Sequence, residues 1–381
     1  MAIIFHFDLD SFYVSAERLK NPSLRGKCVA VGGQGGRGVI SSASYEARKF
    51  GVKSAMPVQQ ALRLCPKLIL VDHDFELYSS LSKRVFEIIS TFSPIWEAVS
   101  IDEGYMDMTG SESLFGTPLQ AAHTIRAKVL KETGLNCSIG IGANRRIAKI
   151  TTDFCKPNGA HWVPPGTEAA FLAPMPVGKI PGVGPSTEKW LHRRGVFTIG
   201  ELQRLSADTL RSQGKFGEFL YEAARGEGST EFNREAKNPS MSRETTFEKN
   251  LHDPLIVEKE LWGLVADLGA GLREEGKYAH GLRLKLRYPP FDTVLRSSTL
   301  PEPAHSDSTL FEAFRQLLHD HWDDQKPLRL IGVGCTLTDA PAQLDLFADH
   351  SALRKRETLD RLKDDLRQKF GDNALKTGRD L

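Results

Sequence analysis

Two short acidic motifs limit what this chain can fold into. An apolar opening run, Ile3-Ile4-Phe5-His6, closes on Phe7-Asp8-Leu9-Asp10. Ser100-Ile101-Asp102-Glu103-Gly104-Tyr105 follows about ninety residues later. Each motif puts carboxylates where a buried strand ends. A fold that brings them together gathers several negative charges, which repel one another unless a divalent cation joins them. Side chains two apart on a strand share a face, so His6, Asp8 and Asp10 point away from Phe5, Phe7 and Leu9. Two Mg²⁺ ions held ~3.5–4 Å apart by such carboxylates are the working parts of many phosphoryl-transfer enzymes. A single aspartate would read as a solvated strand end. Two motifs with buried flanks favour metal ligation by Asp8, Asp102 and Glu103, with a main-chain carbonyl such as that of Leu9 completing the oxygen shell.

At 381 residues the chain exceeds one small core, which points to two to four domains. The formal net charge is only +2, so any nucleic-acid contact must come from local basic surface. Five scattered cysteines without a CxxC pair argue against a disulfide framework or zinc site and suit a reducing cytosol. No basic leader precedes Asp8, and no apolar run is long enough to span a bilayer, so the expectation is a cytoplasmic protein without a membrane segment.

The pattern of elements is α+β. Residues 3–9 read as a strand, and Ser11 to Lys20 as a helix capped by Ser11. Short strands at 28–31 and 39–41 flank the glycine loop 32–36, and helices follow through Tyr45 to Lys49 and over 57–65. A helix over 78–92, a hairpin over 98–108 turning at Asp102-Glu103-Gly104, a helix over 119–132, a strand over 137–141 and a helix over 144–154 complete a split βαβ sheet. Residues 21–75 are an insertion in it. Pro164-Pro165-Gly166 and Asn238-Pro239-Ser240 mark boundaries around a mostly helical stretch. Residues 241–339 mix strands with two helices. Residues 351–370 read as one amphipathic helix with Leu359, Leu362, Leu366 and Phe370 on one face, stopped by Gly371.

Two further stretches point to DNA. Ile180-Pro181-Gly182-Val183-Gly184-Pro185 opens a helix from Ser186 to Arg194. Gly182 and Gly184 would let the backbone approach a phosphate at the helix N-terminus, with Lys179, Lys189 and Arg193 nearby. The alternative is a plain turn between helices. Leu282-Arg283-Leu284-Lys285-Leu286-Arg287-Tyr288 alternates strictly. Its cations, ~6.6–6.8 Å apart on one face, track a phosphate backbone, or else form a solvated edge.

Together, Phe5-His6-Phe7-Asp8-Leu9-Asp10-Ser11-Phe12-Tyr13, the run from Val39-Ile40-Ser41-Ser42-Ala43-Ser44-Tyr45 through Arg48 to Val52, and Ser100-Ile101-Asp102-Glu103 resemble the Y-family translesion DNA polymerases, DNA polymerase IV type. The resemblance runs in order over about 3–347. It implies a right-hand polymerase: palm (1–20 and 76–165), small fingers (21–75), thumb with a helix-hairpin-helix (166–232), little finger (240–340), then a clamp-binding peptide and helical tail (341–381). It implies two Mg²⁺ ions at Asp8, Asp102 and Glu103, which serve as the catalytic residues, and primer-template DNA and an incoming dNTP as partners of a monomer. It implies that Tyr45, Arg48 and Lys149 grip the triphosphate, that Ser42 lies near the nascent pair with Ser41 and Ala43, and that Tyr13 is a steric gate beneath the sugar. Two positions depart from the family: Arg145 stands where lysine is usual, and Gly104 where alanine is usual. Gln343-Leu344-Asp345-Leu346-Phe347 resembles the bacterial sliding-clamp-binding pentapeptide, with Gln343, Leu344, Leu346 and Phe347 as anchors. The rival readings are a catalytically inactive Y-family-like adaptor tethering partners to the clamp, and a nucleotidyl cyclase on a similar palm. The helix-hairpin-helix and the basic strand weigh against the cyclase.

Overall fold

The computed structural model describes residues 1–33, 35–211, 214–232, 240–339 and 351–371. Gln34, the Asn238-Pro239 boundary and the pentapeptide Gln343 to Phe347 lie outside the described residues. The chain divides into two compact units, Met1–Glu235 and Ala236–Leu381.

The first unit begins with β1 (Ile4–Leu9) and α1 (Phe12–Lys20). Ser11 does not cap α1 with its side chain. It sits at φ 46°, in the left-handed region, where the chain turns off the strand, and its hydroxyl donates to the Ala43 carbonyl at 3.2 Å. The inserted segment carries β2 (Val29–Gly32), β3 (Ile40–Ala43), α2 (Tyr45–Arg48), α3 (Val58–Leu64) and β4 (Ile69–Val71). Its three strands form a separate sheet, ordered β3-β2-β4, over a small core that includes Ala30, Ile40, Ala43, Val52 and Ala61.

The main sheet resumes with α4 (Phe75–Ser90), β5 (Trp96–Ala98), β6 (Glu103–Asp107), α5 (Glu112–Phe115), α6 (Pro118–Thr133), β7 (Cys137–Gly142), α7 (Arg145–Cys155) and β8 (Ala160–Trp162). Strand order is β5-β6-β1-β7-β8, with β1 antiparallel to both neighbours. The first four of these strands form the split βαβ arrangement read from the sequence, and β8 extends it parallel to β7. The hairpin turns earlier than expected. Ser100 organises the turn: its hydroxyl donates to the Asp102 carboxylate at 2.6 Å and accepts from the Glu103 N–H at 3.2 Å. Glu103 and Gly104 are therefore the first residues of β6, held in register with β1.

One face of this sheet is the apolar core, where Phe5, Phe7, Leu9, Ile139 and Ile141 pack against Val85 and Ile89 of α4 and Ile125 and Val129 of α6. The other face is covered by α7. Glycines permit that close approach, since a Cβ on Gly140 would lie 2.1 Å from the Thr152 nitrogen. Ile147 and Ile150 of α7 also join the core of the helices that follow: α8 (Glu168–Leu172), α9 (Pro185–His192), α10 (Ile199–Gln203), α11 (Ala207–Arg211) and α12 (Lys215–Arg225).

The second unit is β9 (Ser240–Leu251), α13 (Pro254–Glu274), β10 (Tyr278–Tyr288), β11 (Asp292–Ala304), α14 (Asp307–His321), β12 (Leu328–Thr338) and α15 (Ser351–Phe370). The sheet is antiparallel, ordered β11-β10-β12-β9. The leucine face of β10 packs on Val265 and Leu268 of α13 and Phe314 of α14. The tail helix corrects the sequence reading. Its expected apolar face is turned outward, with Leu359 57% and Phe370 72% exposed. The face that docks is charged: Asp364 pairs with Arg273 at 2.5 Å, and Lys363 with Asp307 at 3.1 Å.

Candidate active site

The register of β1 against β6 sets Asp8 directly opposite Glu103, with His6 opposite Tyr105 on the same face. Like charges in that cross-strand position destabilise a sheet unless a cation joins them. Asp102 sits one residue before β6, and its carbonyl accepts the Leu9 N–H at 2.9 Å. A pocket of about 320 Å³ is lined by Asp8, Leu9 and Asp102 together with Tyr13, Ser41, Ser42, Tyr45, Arg48, Ser54 and Lys156. Residues from four separate stretches of sequence thus meet in one cavity.

Helix α7 supplies the countercharge. Lys149 on α7 and Lys156, the residue that follows its last turn, lie over the carboxylates. Lys156 Nζ is 2.6 Å from Asp8, and Lys149 Nζ is 2.5 Å from Glu103. Burial pushes the Asp8 carboxyl up to about 7, against the pull of Lys156 and aided by Asp102 and Glu103. Glu103 goes the other way, held down at about 2 chiefly by its hydrogen bond to His6 and then by Lys149. His6 is fully buried, with Nε2 3.3 Å from Glu103 and Nδ1 2.9 Å from the Thr152 hydroxyl; burial lowers it to about 4. Asp10, by contrast, is used internally. It accepts from Ser138 at 2.9 Å, the Asn158 N–H at 2.7 Å and Tyr45 at 3.3 Å.

Among the described residues, no group of three or more His, Cys, Asp or Glu side chains closes around a common metal position. Lysines draw Asp8 and Glu103 to separate cations. The donor chemistry still fits a hard divalent ion: carboxylates at Asp8, Asp102 and Glu103 beside the Leu9 main chain, all oxygen.

Of the residues expected at the nucleotide, Tyr13, Ser42, Tyr45 and Arg48 line this pocket and Lys149 does not. The Tyr13 ring is backed by Tyr78, stacked at 4.5 Å, whose hydroxyl donates to the buried Glu17 at 2.6 Å. Arg48 lies over the Tyr45 ring at 4.7 Å. Lys156 was missed from the sequence, although it stands seven residues after Lys149 and closes the same helix. Gly182 has φ +96°, a conformation that favours glycine, and Gly184 caps α9 ahead of Pro185. Arg283, Lys285 and Arg287 lie on the face of β10 opposite its buried leucines. Lys285 pairs with Glu244 at 2.6 Å, and Arg287 donates to Thr293 at 2.9 Å.

The model of the impB/mucB/samB family matches residues 7–153, that of its C-terminal domain residues 238–346, and that of the DNA polymerase-iota thumb domain residues 178–227. A DNA polymerase IV of Dehalococcoides mccartyi (strain CBDB1) is 39% identical over 380 residues, covering 99% of this chain and 97% of its own length. The chain belongs to the Y-family of translesion DNA polymerases. A second member of this family, the DNA polymerase IV of Streptomyces coelicolor, is 39% identical over 93% of this chain and 74% of its own. Two solved structures share the Y-family fold. A chimera of the Y-family polymerases Dbh and Dpo4 gives a TM-score of 0.76 at 24% identity, over 88% of this chain and 98% of the chimera. An insertion ternary complex of Dbh gives 0.63 at 23% identity, over 89% and 100%. The inactive-adaptor reading finds no support among these relatives. Y-family polymerases depend on divalent metal ions. No helix among the described residues is long and apolar enough to cross a membrane.

Proposed function

We propose that the pocket between β1, α1, β3 and α2, bordered by Asp102 and Lys156, is the polymerisation site of a DNA-directed DNA polymerase of the translesion type, acting on primer-template DNA and dNTPs. The observation that carries this reading is that Asp8 and Asp102 share one cavity with Tyr45, Arg48 and Lys156, while Glu103 stands in direct register with Asp8 at its edge. Asp8, Asp102, Glu103 and the Leu9 carbonyl hold two Mg²⁺ ions. When bound, such ions lower the pKa of a primer 3′-hydroxyl and neutralise charge on the reacting phosphates. Arg48 offers a planar fork of donors to the triphosphate, Tyr45 a phenolic donor and Lys156 a point charge. Lys156 and Lys149 keep the carboxylates neutralised between turnovers. The Tyr13 ring, fixed by Tyr78, forms the floor that a 2′-hydroxyl would strike.

In this assignment residues 1–20 and 76–165 are the palm, 21–75 the fingers, 166–232 the thumb and 240–340 the little finger. Gly182, Gly184 and the cations of β10 hold the duplex by its phosphates. The chain works as a cytoplasmic monomer, tethered to a sliding clamp through Gln343, Leu344, Leu346 and Phe347.

Primer extension by the Asp102→Asn variant tests the centre of this reading. The substitution keeps size and removes charge. Expected is loss of nucleotide addition, together with weaker Mn²⁺ binding read directly by electron paramagnetic resonance, while primer-template affinity stays near that of the parent. Undiminished extension by Asp102→Asn would remove the two-metal assignment.

A further inference from the structure

One polar group on the wall of this pocket is fixed from outside it. Ser41, on β3, lines the pocket, and its hydroxyl oxygen lies 2.7 Å from Nε2 of His73. His73 stands between β4 and α4, 32 residues further along the chain. Its ring lies flat on Phe75, with centroids 5.1 Å apart and planes within 4°. Phe75 in turn meets Tyr13 edge-on at 6.4 Å and Tyr78 at 5.9 Å. The imidazole is therefore braced against the same aromatic group that backs the pocket floor. The Ser41 main chain is fixed as well, since its carbonyl accepts the Ser54 hydroxyl at 2.9 Å.

A serine hydroxyl has one proton and two lone pairs. Where Nε2 accepts that proton, the Ser41 oxygen offers only lone pairs to the pocket. Where Nε2 carries a proton and donates it, the Ser41 proton is free to turn inward. In either tautomer the imidazole decides what Ser41 presents. Arg48, Tyr45 and Lys156 account for the phosphate end of a bound nucleotide, and Tyr13 for the sugar. Of the remaining polar wall, the Ser11 hydroxyl is spent on the Ala43 carbonyl, and Ser41, Ser42 and Ser54 are left for the base.

We propose that His73 is a positioning residue for nucleotide selection: through its hydrogen bond it sets the hydroxyl of Ser41, and with it the choice among incoming bases. This inference rests on the reading of the pocket as the dNTP site. His73 touches no substrate itself and acts through Ser41.

Single-nucleotide insertion by the full chain tests it, with kcat and KM measured for matched and mismatched dNTPs. His73→Phe keeps a ring on Phe75 and removes Nε2. It should change the matched-to-mismatched ratio of kcat/KM by about three- to tenfold, the scale of one hydrogen bond, mainly through KM. Ser41→Ala should change it equally, and the double variant no further, because both remove one interaction. His73→Gln, which can still reach the hydroxyl, should restore part of the ratio. An unchanged ratio in His73→Phe, multiplicative effects in the double variant, or an equal loss on all nucleotides with a lowered unfolding temperature would each overturn the inference. A parent protein that inserts no nucleotide would instead overturn the reading of the pocket on which it rests.

Discussion

Gly104 and Phe7 face each other across β6 and β1, and together they account for one departure from the family. A Cβ on Gly104 would lie 2.9 Å from two atoms of the Phe7 ring and 2.7 Å from the Glu97 carbonyl oxygen. The Phe7 ring fills the space an alanine methyl would take. Gly104→Ala should therefore destabilise the first unit by about 1–3 kcal/mol, the usual cost of overpacking. Phe7→Leu made in the same chain should recover part of that loss, because the ring contact goes while the carbonyl contact stays. A urea-unfolding double-mutant cycle checks this, and strictly additive effects would dissociate the two residues. Arg145, the other departure, grips Glu97 with two bonds of 2.7 and 2.9 Å, lies over Tyr105 at 4.3 Å and donates to the Glu231 carbonyl at 2.7 Å. A lysine carries all its donors on one nitrogen and cannot form that planar two-nitrogen fork. Asp8 was legible in the sequence because it closes a buried-strand pattern that fixes its face, whereas Asp102 and Glu103 follow an exposed turn and open β6 rather than end a strand. Lys156 was not, since it lies past the last turn of α7 where helical spacing no longer predicts direction. The His73–Ser41 pair was not legible either, for no local pattern links a β3 serine to a residue after β4.

Elements differ in the same way. The alternation of β10 alone separates its buried leucines from Arg283, Lys285 and Arg287, and the structure keeps that division. Opposite Arg283 and Lys285 on β12 stand Gly334 and Gly332, and opposite Arg287 stands Leu330. Neutralising the three cations together should weaken primer-template binding for all sequences alike. The salt dependence should flatten by ~0.9 log units for each phosphate no longer neutralised. Lys285 should contribute least to that change, because Glu244 already offsets it. An unchanged slope in filter-binding measurements would reduce the cation face of β10, an interior strand, to plain solvated charge. For α15, periodicity misled. A hydrophobic stripe normally faces inward, but here Arg273, 5% exposed, meets Asp307 at 2.8 Å and Asp364 at 2.5 Å, and these charges choose the docked face. Breaking such a buried pair leaves its partners uncompensated, so Arg273→Ala should cost about 3–5 kcal/mol in the second unit. Replacement of Arg273 without loss in chemical denaturation would show that the tail helix is held by something else.

For the molecule as a whole, order along the chain carried most of the fold. Strand, inserted segment, helix, hairpin, helix, strand can close as a split βαβ sheet, and the strongly periodic helices α4, α6 and α7 fixed its layers. The three-residue strands β4 and β8 were invisible, being too short to show alternation. Net charge bears on the molecule at the same scale. With only +2 overall, long-range attraction to DNA is weak, and grip depends on local basic surface. A polymerase of that kind would leave its template readily, and the proposed clamp tether would compensate by raising its effective concentration at the primer end. Gln343-Leu344-Asp345-Leu346-Phe347 supplies one polar and several apolar anchors, of which Leu346 and Phe347 should carry most of the affinity in a preformed groove. Replacing both by Ala should leave single-nucleotide insertion in the absence of a clamp unchanged and abolish stimulation of processive synthesis by a sliding clamp. The outward leucines of α15, Leu359 and Leu362, lie further along the chain and offer a competing apolar contact. Replacing Leu359 and Leu362 by Ala in parallel separates the two: equal clamp stimulation in the Leu346/Phe347 variant and its loss in the α15 variant would move the tether from the pentapeptide to the helix.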